Sequence, residues 1–491
     1  MNDSLTFGLL VLCAAGAALL AVQSHRLSAR VRVPTPAFFL VAAALSVELI
    51  PDLHEPSHRT VERVVTVALV VILFDGGLHI GAARFRAAAP AILSLGVLGT
   101  FVTVAGAAAL VHVLLGGSWY VAVLVATAIA PTDPAVVFSV LGQREVEGRS
   151  GTVLEGESGA NDPVGIALMA ALIGAGSLSF GALGDVAGTF GLQMLVGVAV
   201  GVVGGRLLLQ AMRRLPLPSE GLYPVRALMG AGVLFGAATL AHGSGFLAVF
   251  VAGILLGDER APYKRDIERF HSALASLAEV VAFAYLGFTV HLDVLAQGDV
   301  WVPGIVLGLA LALVIRPLLG APLLLPAGLR RGELGFVLFA GLKGAVPLLL
   351  GTLLLDAGVP HADQLYGVVV VVVLVSVIVQ GSLVPTVARL LHVRMRTVEA
   401  EPFALGVRLR DDPQDAHRLT VAVGSAADGR RIADLPGLAE GTWVSLVVRD
   451  GVLLPLRGDT VLQAHDDVLV LSDPEEQPGL VRGLFAVLPL D

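Results

Sequence analysis

The sequence has 491 residues, of which 56% are hydrophobic and only 15% are charged, and its formal net charge is −8. Soluble domains carry about 25% charged residues, so this composition excludes an ordinary water-soluble globular protein, and the acidic balance makes nucleic acid a poor partner. The single cysteine, Cys13, excludes a disulfide framework within these residues.

Apolar blocks of membrane-spanning length follow one another up to residue 391. A transmembrane helix needs about 20 mostly apolar residues, and the pattern predicts about thirteen such helices. They lie at 5–22, 34–50, 61–80, 90–115, 118–140, 151–174, 186–212, 222–242, 244–257, 272–292, 301–325, 332–355 and 364–391. Because no positively charged segment precedes the first block, we expect a retained helix there and not a cleaved signal peptide. The predicted fold is an all-α polytopic membrane protein.

Charges between the blocks predict how the helices are oriented. Basic residues concentrate in every second loop, namely Arg26, Arg30, Arg32, Arg84, Arg86, Arg144, Arg149, Arg213, Arg214, Arg260, Lys264, Arg265, Arg269, Arg330 and Arg331. The other loops carry mostly acids, together with Arg59 and Arg63. Since cytoplasmic loops carry the excess of lysine and arginine, we expect the N-terminus outside, the C-terminal region in the cytoplasm, and a location in the cell (inner) membrane.

The first polar groups inside the apolar blocks are two aspartates. Asp75 lies in the third predicted span, and Asp133 lies in the fifth, in the run Pro131-Thr132-Asp133-Pro134. Charges in a bilayer are costly, so each one indicates a function or a partner within the bundle. Two prolines around the Thr132–Asp133 pair predict a break in the helix. Unwound backbone at membrane depth is tolerated only where it is buried in protein or lines a cavity.

The sixth predicted span contains a second polar group, formed by Glu157, Ser158, Asn161 and Asp162. Glu157 and Asn161 share one helical face, and Ser158 and Asp162 share the adjacent one. Carboxylate, hydroxyl and amide oxygens are hard ligands, which suit a small cation. Burial favours the protonated carboxyl group, whereas a bound cation favours the ionised one. Competition between a proton and a cation for one carboxylate would therefore be sufficient for exchange.

A second helix break is predicted near the end of the apolar region. Lys343 lies in the glycine-rich run 341–347, which ends in Pro347 and belongs to the twelfth span, whereas Arg316 lies in the eleventh. The two breaks are seven spans apart, and Asp75 in the third span corresponds to the run 285–288 in the tenth. This spacing indicates inverted repeats with crossed broken helices, an arrangement that secondary transporters use to build ion sites.

A small α+β domain is predicted after residue 396, where the apolar blocks end. Short alternating runs at 419–423, 443–448, 453–456 and 468–471 predict strands. Arg449-Asp450-Gly451 predicts a hairpin turn, and 429–435 predicts a short helix. The predicted domains are a transport domain at 1–396, a second domain at 397–473 and a tail at 474–491. No G-x-G-x-x-G run follows a strand, so we expect no dinucleotide-binding domain.

The motifs together resemble the NhaP-like branch of the sodium/proton exchanger superfamily. The matching runs, in family order, are Phe74-Asp75-Gly76-Gly77-Leu78, Pro131-Thr132-Asp133-Pro134, Glu157-Ser158-Gly159-Ala160-Asn161-Asp162-Pro163, Gly341-Leu342-Lys343-Gly344-Ala345-Val346-Pro347 and Ser376-Val377-Ile378-Val379-Gln380-Gly381-Ser382. The resemblance covers residues 1–391. It implies an antiporter, not an enzyme, which exchanges a monovalent cation for protons and needs no cofactor.

The same resemblance implies roles for individual residues. Asp162 would be the exchanging carboxylate, with Asp133 taking part in the exchange of protons and Na⁺ or K⁺. Thr132, Ser158 and Asn161 would complete the substrate site. Glu157 would form a structural ion pair with Arg316, and Lys343 and Asp75 would be modulating charges. The Asn161–Asp162 pair resembles the electroneutral branch of the superfamily, and Lys343, where many relatives carry arginine, resembles its bacterial potassium/proton subgroup.

Residues 403–473 resemble the C-terminal regulatory domain of potassium-conductance regulators, the TrkA-C (RCK_C) type. The similarity lies in the runs 429–435, 449–451 and 466–470. It implies a domain that dimerises, senses a small ligand and regulates transport.

Two alternatives to cation exchange follow from the residues. An organic-solute or anion carrier of the same fold stays open, although hard oxygen ligands in apolar walls argue against it. A channel would show a repeated carbonyl filter or rings of charge, and the sequence contains neither. Asp75 fits a cap or pairing role within the bundle as well as it fits a modulating one.

Overall fold

The computed structural model describes Gly16 and residues 34–49, 56–141, 144–146, 148–257, 263–297, 299–397, 416–435, 443–449, 452–471 and 484–485. The first predicted span, apart from Gly16, lies outside these residues, as do Arg26, Arg30, Arg32, Arg260 and the Asp450–Gly451 part of the predicted hairpin turn. The chain divides into two compact units, residues 1–399 and 400–491.

The first unit is built of helices. Those described are α1 (Thr35–Leu49), α2 (His58–Leu93), α3 (Gly99–Leu115), α4 (Trp119–Ile129), α5 (Pro134–Leu141), α6 (Arg149–Ala175), α7 (Phe180–Arg214), α8 (Leu222–Leu240), α9 (Gly245–Gly257), α10 (Lys264–Gly287), α11 (Leu292–Ala296), α12 (Trp301–Ala310), α13 (Arg316–Leu324), α14 (Arg331–Phe339), α15 (Ala345–Asp356), α16 (Ala362–Leu374) and α17 (Gly381–Leu390). Short π-helical segments join α2 to α3, α12 to α13 and α16 to α17, at Ser94–Leu98, Leu311–Ile315 and Val375–Gln380.

Within the described residues, seven helical segments are long and apolar enough to cross a membrane. They are His58–Leu115, Trp119–Leu141, Phe180–Arg214, Leu222–Leu240, Lys264–Gly287, Trp301–Leu324 and Ala362–Leu390. Three shorter apolar helices, α1, α9 and α15, have 10–17 residues. Helix α6 is long enough but is not among them, because it carries the polar residues of the second predicted group. The chain therefore contains many apolar helices, as the composition predicts.

Helix ends follow from local sequence signals. The side chains of Ser57, Ser118 and Ser179 accept hydrogen bonds from backbone N–H groups in the first turns of α2, α4 and α7. These bonds satisfy donors that have no partner inside the helix. Gly176 ends α6 in the left-handed conformation, with φ of 66°, which glycine adopts without steric cost.

The loop predicted between the spans at 61–80 and 90–115 is replaced by helix in the structure, so this prediction is wrong. The sequence predicts an inner loop at 81–89 with Arg84 and Arg86, but the structure continues as helix through it and breaks at Gly81, where φ is 65° and ψ is 164°. A straight helix of 58 residues, His58–Leu115, would be about 87 Å long, far more than a bilayer core of about 30 Å. The single glycine kink replaces the loop, because residues 82–89 are good helix formers.

The start of α10 is a second correction. The sequence predicts a span at 272–292, whereas the helix runs Lys264–Gly287. Its first turns are rich in charged residues, which lower the hydropathy without disfavouring helix. Hydropathy therefore places the beginning of this helix eight residues too late, although its type is right.

Helices α2 and α9 cross in close contact through glycines. A Cβ atom added at Gly77 would lie 2.9 Å from the Ile254 nitrogen, and one added at Gly253 would lie 3.1 Å from the Gly77 Cα. Small residues let membrane helices approach backbone to backbone. Gly77, two residues after Asp75, thus serves helix packing.

The second unit has a four-stranded antiparallel sheet in the order β3-β6-β4-β5. Its strands are β3 (Ala416–Thr420), β4 (Trp443–Arg449), β5 (Val452–Leu453) and β6 (Asp467–Leu471). Alternate residues of β6 are buried, whereas β4 buries Val447. Val447, Val468 and Val470 form a core with Val421 and Leu462. A further pair, β1 (Arg144–Val146) and β2 (Met395–Thr397), is antiparallel and belongs to the first unit.

Three boundaries in this unit differ from the predictions. The first strand ends at Thr420 and not at 423, and β5 is Val452–Leu453 and not 453–456, because Pro455 cannot donate a ladder hydrogen bond. The expected helix at 429–435 is a single 3₁₀ turn at Ile432–Asp434.

An ion pair anchors this sheet. Arg449 Nη2 lies 2.7 Å from Asp466 Oδ2, and its Nε donates to Oδ1 at 2.7 Å. Burial by itself would raise the pKa of Asp466, but the hydrogen bonds from Arg449 and from the Gln463 N–H, with the Arg449 charge, outweigh burial and hold the pKa below its ordinary value. Asp466 therefore stays ionised.

Candidate functional site

The two predicted helix breaks are present and lie against each other. The first is the gap between α4 and α5, and the second is the gap between α14 and α15. The Asp133 N–H donates to the Leu342 carbonyl at 2.7 Å, which joins the two breaks directly. Glycine is required at Gly344, because a Cβ atom there would overlap the Asp133 carboxylate.

Asp133 lies where two helices begin. Its Oδ1 accepts a hydrogen bond from the Ala135 N–H of α5 at 2.9 Å, and the Ala345 N–H at the start of α15 also reaches the carboxylate. Helix N-termini carry partial positive charge, which favours an anion there. Asp133 is only partly buried, so its carboxylate combines support from two helix ends with access to a small ligand.

Asp162 lies in the middle of α6, beside the breaks. The residue is 7% exposed, and its Oδ1 is buried without a hydrogen-bond partner among the described residues. Ser158, one turn earlier on the helix, reaches the same carboxyl group with its hydroxyl, and the charges of Asp133 and Lys343 act on it. An unpaired, buried carboxylate oxygen is costly, so this atom indicates a site for a proton or a cation.

Asn161 holds the first break in place. Its Nδ2 donates to Thr132 Oγ1 at 2.8 Å, and its Oδ1 accepts from the Thr132 N–H at 3.3 Å. Both residues are buried, Asn161 at 2% and Thr132 at 4% exposure. The amide thus bonds both the backbone N–H and the side-chain hydroxyl of Thr132, and it fixes Thr132 next to Asp162.

Lys343, in the second break, bonds the C-terminal end of α4. Its Nζ donates to the carbonyls of Ala130 at 2.7 Å and Pro131 at 3.2 Å, just after the end of α4. The carbonyl end of a helix carries partial negative charge, which a cation stabilises. Lys343 is 4% exposed. Its charge also acts on Asp162, so one buried cation serves both a helix end and the carboxylates.

Glu157 and Arg316 form a bidentate pair. Arg316 Nη1 and Nη2 lie 2.6 and 2.7 Å from the two Glu157 oxygens, and both side chains are almost fully buried. The guanidinium also donates to the Leu338 carbonyl at 2.8 Å, near the end of α14. Gly341 leaves the space that the guanidinium occupies. The pair links α6, α13 and α14, and it leaves no Glu157 oxygen free for a cation.

Asp75 lies away from the two breaks. Its Oδ1 accepts a hydrogen bond from Ser272 Oγ of α10 at 3.3 Å and lies 3.3 Å from His79 Nδ1. Of the residues predicted for the site, the structure thus gathers Thr132, Asp133, Glu157, Ser158, Asn161, Asp162, Arg316 and Lys343 around the breaks. It places Asp75 in a separate polar cluster.

Three residues that shape the site were not predicted. Ser376 Oγ accepts from the Lys343 N–H at 2.9 Å and donates to Gln380, whose Nε2 in turn donates to the Phe339 carbonyl at 2.5 Å. Ser376 and Gln380 lie in a π-helical segment, a feature common at functional sites. Glu279 of α10 is the third. Two sequence signals could have identified them. Ser376 and Gln380 belong to a polar motif, and Glu279 is a carboxylate inside an apolar run.

The arrangement can bind a small cation reversibly. Hard oxygen atoms of Asp133, Asp162, Ser158 and Thr132 come together where two helices are unwound, which suits Na⁺ or K⁺. A proton can neutralise the same carboxylates when the cation leaves.

The sequence matches known protein families and individual antiporters. Residues 14–390 match the family described as sodium/hydrogen exchanger, transmembrane, and residues 416–478 match the TrkA-C domain. The chain is 30% identical over 485 residues to a protein of Shewanella sp. (strain MR-4) named K⁺/H⁺ antiporter NhaP2, with 96% of this chain and 83% of the relative covered. It is 30% identical over 469 residues to the K⁺/H⁺ antiporter NhaP of Alkalimonas amylolytica, with 94% and 81% covered.

The fold also matches a solved structure. The sodium proton antiporter MjNhaP1 of Methanocaldococcus jannaschii aligns with a TM-score of 0.63 at 22% identity, over 78% of this chain and 100% of that one. At this identity the match shows a shared fold.

Proposed function

The chain belongs to the family of transmembrane sodium/hydrogen exchangers, and from that premise we propose that it exchanges K⁺ for protons at the site formed by Asp133 and Asp162. The observation that carries the proposal is the buried, unpartnered Oδ1 of Asp162 beside two hydrogen-bonded helix breaks. A carboxylate in this position binds either a proton or a cation, so release of one is coupled to uptake of the other.

The residues of the site have different proposed roles in cation and proton exchange. Asp162 and Asp133 exchange the proton and the cation, and the Ser158 and Thr132 oxygens complete the coordination of the cation. Asn161 holds Thr132 in position, and its Oδ1 is a further oxygen facing the break. Glu157 and Arg316 are a structural ion pair, and Lys343 and Asp75 modulate the charge around the site.

K⁺ is the proposed cation because two relatives that align over almost the whole chain are named K⁺/H⁺ antiporters. Na⁺ is the alternative, since the matching solved structure is of a sodium proton antiporter. We propose electroneutral exchange, one cation for one proton, because Asn161 stands beside Asp162 where a second acid would add a charge.

The proposed topology follows from the distribution of basic residues. About thirteen spans, arranged as inverted repeats in the inner membrane, place the N-terminus outside and residues 400–491 in the cytoplasm. The proposed role of this second unit is regulation, with two copies pairing in a homodimer and binding a small ligand. The match of residues 416–478 to the TrkA-C domain supports this role.

The test is K⁺-driven proton movement in everted membrane vesicles, followed with a pH-sensitive dye. We expect wild-type protein to dissipate a pH gradient on addition of K⁺, and Asp162→Asn to abolish the response while the protein still inserts, because the amide has the same shape but cannot ionise. Asp185→Asn, an exposed carboxylate on α7, is the matched control and keeps the wild-type rate. Wild-type dequenching by Asp162→Asn would refute the assignment.

The same vesicles separate the remaining possibilities. Addition of Na⁺ in place of K⁺ tests the choice of cation, and addition of organic anions tests the organic-solute carrier. A transport rate that scales with an imposed membrane potential at clamped pH would contradict electroneutral exchange.

A further inference from the structure

Glu279 is an acid within α10 to which no role has been assigned. Its Oε1 is buried and has no hydrogen-bond partner among the described residues. An unsatisfied carboxylate oxygen inside a membrane bundle is costly, and intramembrane acids commonly form proton relays. This atom therefore requires an explanation beyond helix packing.

Glu279 lies within electrostatic reach of the transport site. The charge of Asp133 acts on Glu279, and α10 packs against α15, whose first N–H reaches the Asp133 carboxylate. Beyond Asp133 lies Asp162, which is 7% exposed and has its own unpartnered oxygen. Neighbouring carboxylates in a low-dielectric region disfavour each other's ionisation, so the charge states of Asp133 and Glu279 depend on each other.

Toward the start of α10, Ser272 forms a polar cluster with Asp75 and His79. Ser272 lies seven residues before Glu279, on the same face of α10 and about 10 Å along the helix axis. Its hydroxyl bonds Asp75 at 3.3 Å and lies 3.4 Å from His79 Nε2. The His79 side chain is 47% exposed, so the cluster opens to the outside of the bundle.

Other charges around α10 lie elsewhere or are engaged with other groups. Glu155 lies near His79, Glu48 of α1 is exposed, Arg226 of α8 donates to the Leu215 carbonyl, and Asp356 of α15 lies 3.3 Å from His58. Among the described groups, Asp133 acts on Glu279, while Asp75, His79 and the buried His271, whose Nδ1 lies 2.8 Å from the Ile267 carbonyl, lie toward the start of α10.

We propose that Glu279 is a proton-carrying residue of the transport pathway, which passes protons between Asp133 and the Asp75–His79–Ser272 cluster. When a cation binds at the transport site, the O–H bond of the Asp133 carboxyl group breaks and an O–H bond forms at Glu279, so the total charge of the two acids is unchanged. The O–H bond at Glu279 then breaks and an N–H bond forms at a neutral His79 ring, whose side chain is 47% exposed and releases the proton to water. The inference rests on the proposed cation/proton exchange.

The test is Glu279→Gln in the full chain, measured as K⁺-driven proton movement in everted vesicles across a range of pH. The amide keeps the shape but carries no proton, so we expect the maximal rate to fall about 100-fold, as for other positioned proton-transfer groups. We expect its pH dependence to flatten and the KM for K⁺ to stay unchanged. Glu268→Gln, on the same helix and paired with Lys264 at 3.6 Å, is the matched control and keeps the wild-type profile.

Two results would overturn the relay. One is a wild-type rate and pH profile in Glu279→Gln, and the other is a raised KM for K⁺ with an unchanged maximal rate. If the amide variant does not insert, Glu279→Met replaces it, because its side chain has a similar length and carries no proton, and a wild-type rate at every pH from this variant has the same meaning. Absence of exchange in wild type, measured alongside, would instead refute the proposed function.

Discussion

The Glu157–Arg316 pair shows how charges can be placed inside a membrane bundle. Both side chains are nearly fully buried, and the two parallel hydrogen bonds of 2.6 and 2.7 Å use the planar fork of arginine. Further donation to the carbonyls of Val337 and Leu338 uses two more of the five guanidinium N–H groups. Such a pair contributes little net stability, but removing one partner leaves an uncompensated buried charge.

We therefore expect Arg316→Ala to lower the folded yield more than it lowers the activity of the protein that folds. The isolated Glu157 charge should cost about 3–5 kcal/mol, seen as a lower thermal unfolding temperature in detergent. Glu157→Ala together with Arg316→Ala should recover part of this loss, because no charge is then left alone. If the double variant is no more stable than Arg316→Ala, the two residues do not act as a pair.

At the scale of elements, the site depends on two short unwound segments that hold each other. The Asp133 N–H bonds the second break, and Lys343 bonds the carbonyls that end α4. Each break thus supplies partners for backbone groups that the other leaves unpaired. The side chains around them have little freedom to move independently.

Gly344→Ala tests this close fit. The added Cβ would overlap the Asp133 carboxylate, so we expect the breaks to shift and the exchange rate to fall about 100-fold, the effect of misplacing a reacting group by about 1 Å. Gly232→Ala in α8 is the matched control, because a Cβ atom there meets nothing within 4 Å. A wild-type exchange rate in Gly344→Ala would show that Asp133 has room to move.

At the scale of the whole molecule, the chain combines a helical unit with a small sheet unit. The first unit ends at residue 399 and contains the β1–β2 pair. All of the residues assigned to the transport site precede residue 392. We therefore expect transport and the proposed regulation to be separable in sequence.

A chain that ends at Glu399 should still insert and still exchange cations for protons, with an altered dependence on pH or ligand. Regulation of this kind corresponds to a coupling free energy of about 1–3 kcal/mol. The measurement is the dye response of vesicles over a range of pH, with the full chain as the control. A truncated protein that inserts normally but exchanges nothing at any pH would assign residues 400–491 to the transport machinery.

The sequence by itself determined the class of the protein and its local breaks. In lipid, long apolar runs form helices because a helix pairs its own backbone N–H and C=O groups. The prolines around Thr132 and Asp133 interrupt a helix whatever its surroundings. Family motifs pointed to most of the site residues. These properties depend on residues close together in the chain, which is why they could be predicted.

Only the tertiary structure decided which distant groups meet. The bond from Asp133 to Leu342, the pairing of Asn161 with Thr132, and the Ser376–Gln380 support of Lys343 join residues that lie far apart in sequence. In the sequence Glu279 resembles any acid in a helix, whereas packing brings it within electrostatic reach of Asp133 and leaves its Oε1 without a hydrogen-bond partner among the described residues. Hydropathy is an average over neighbouring residues in the sequence and does not show which distant groups a charged side chain contacts. The energy of a buried charge depends on those few surrounding atoms.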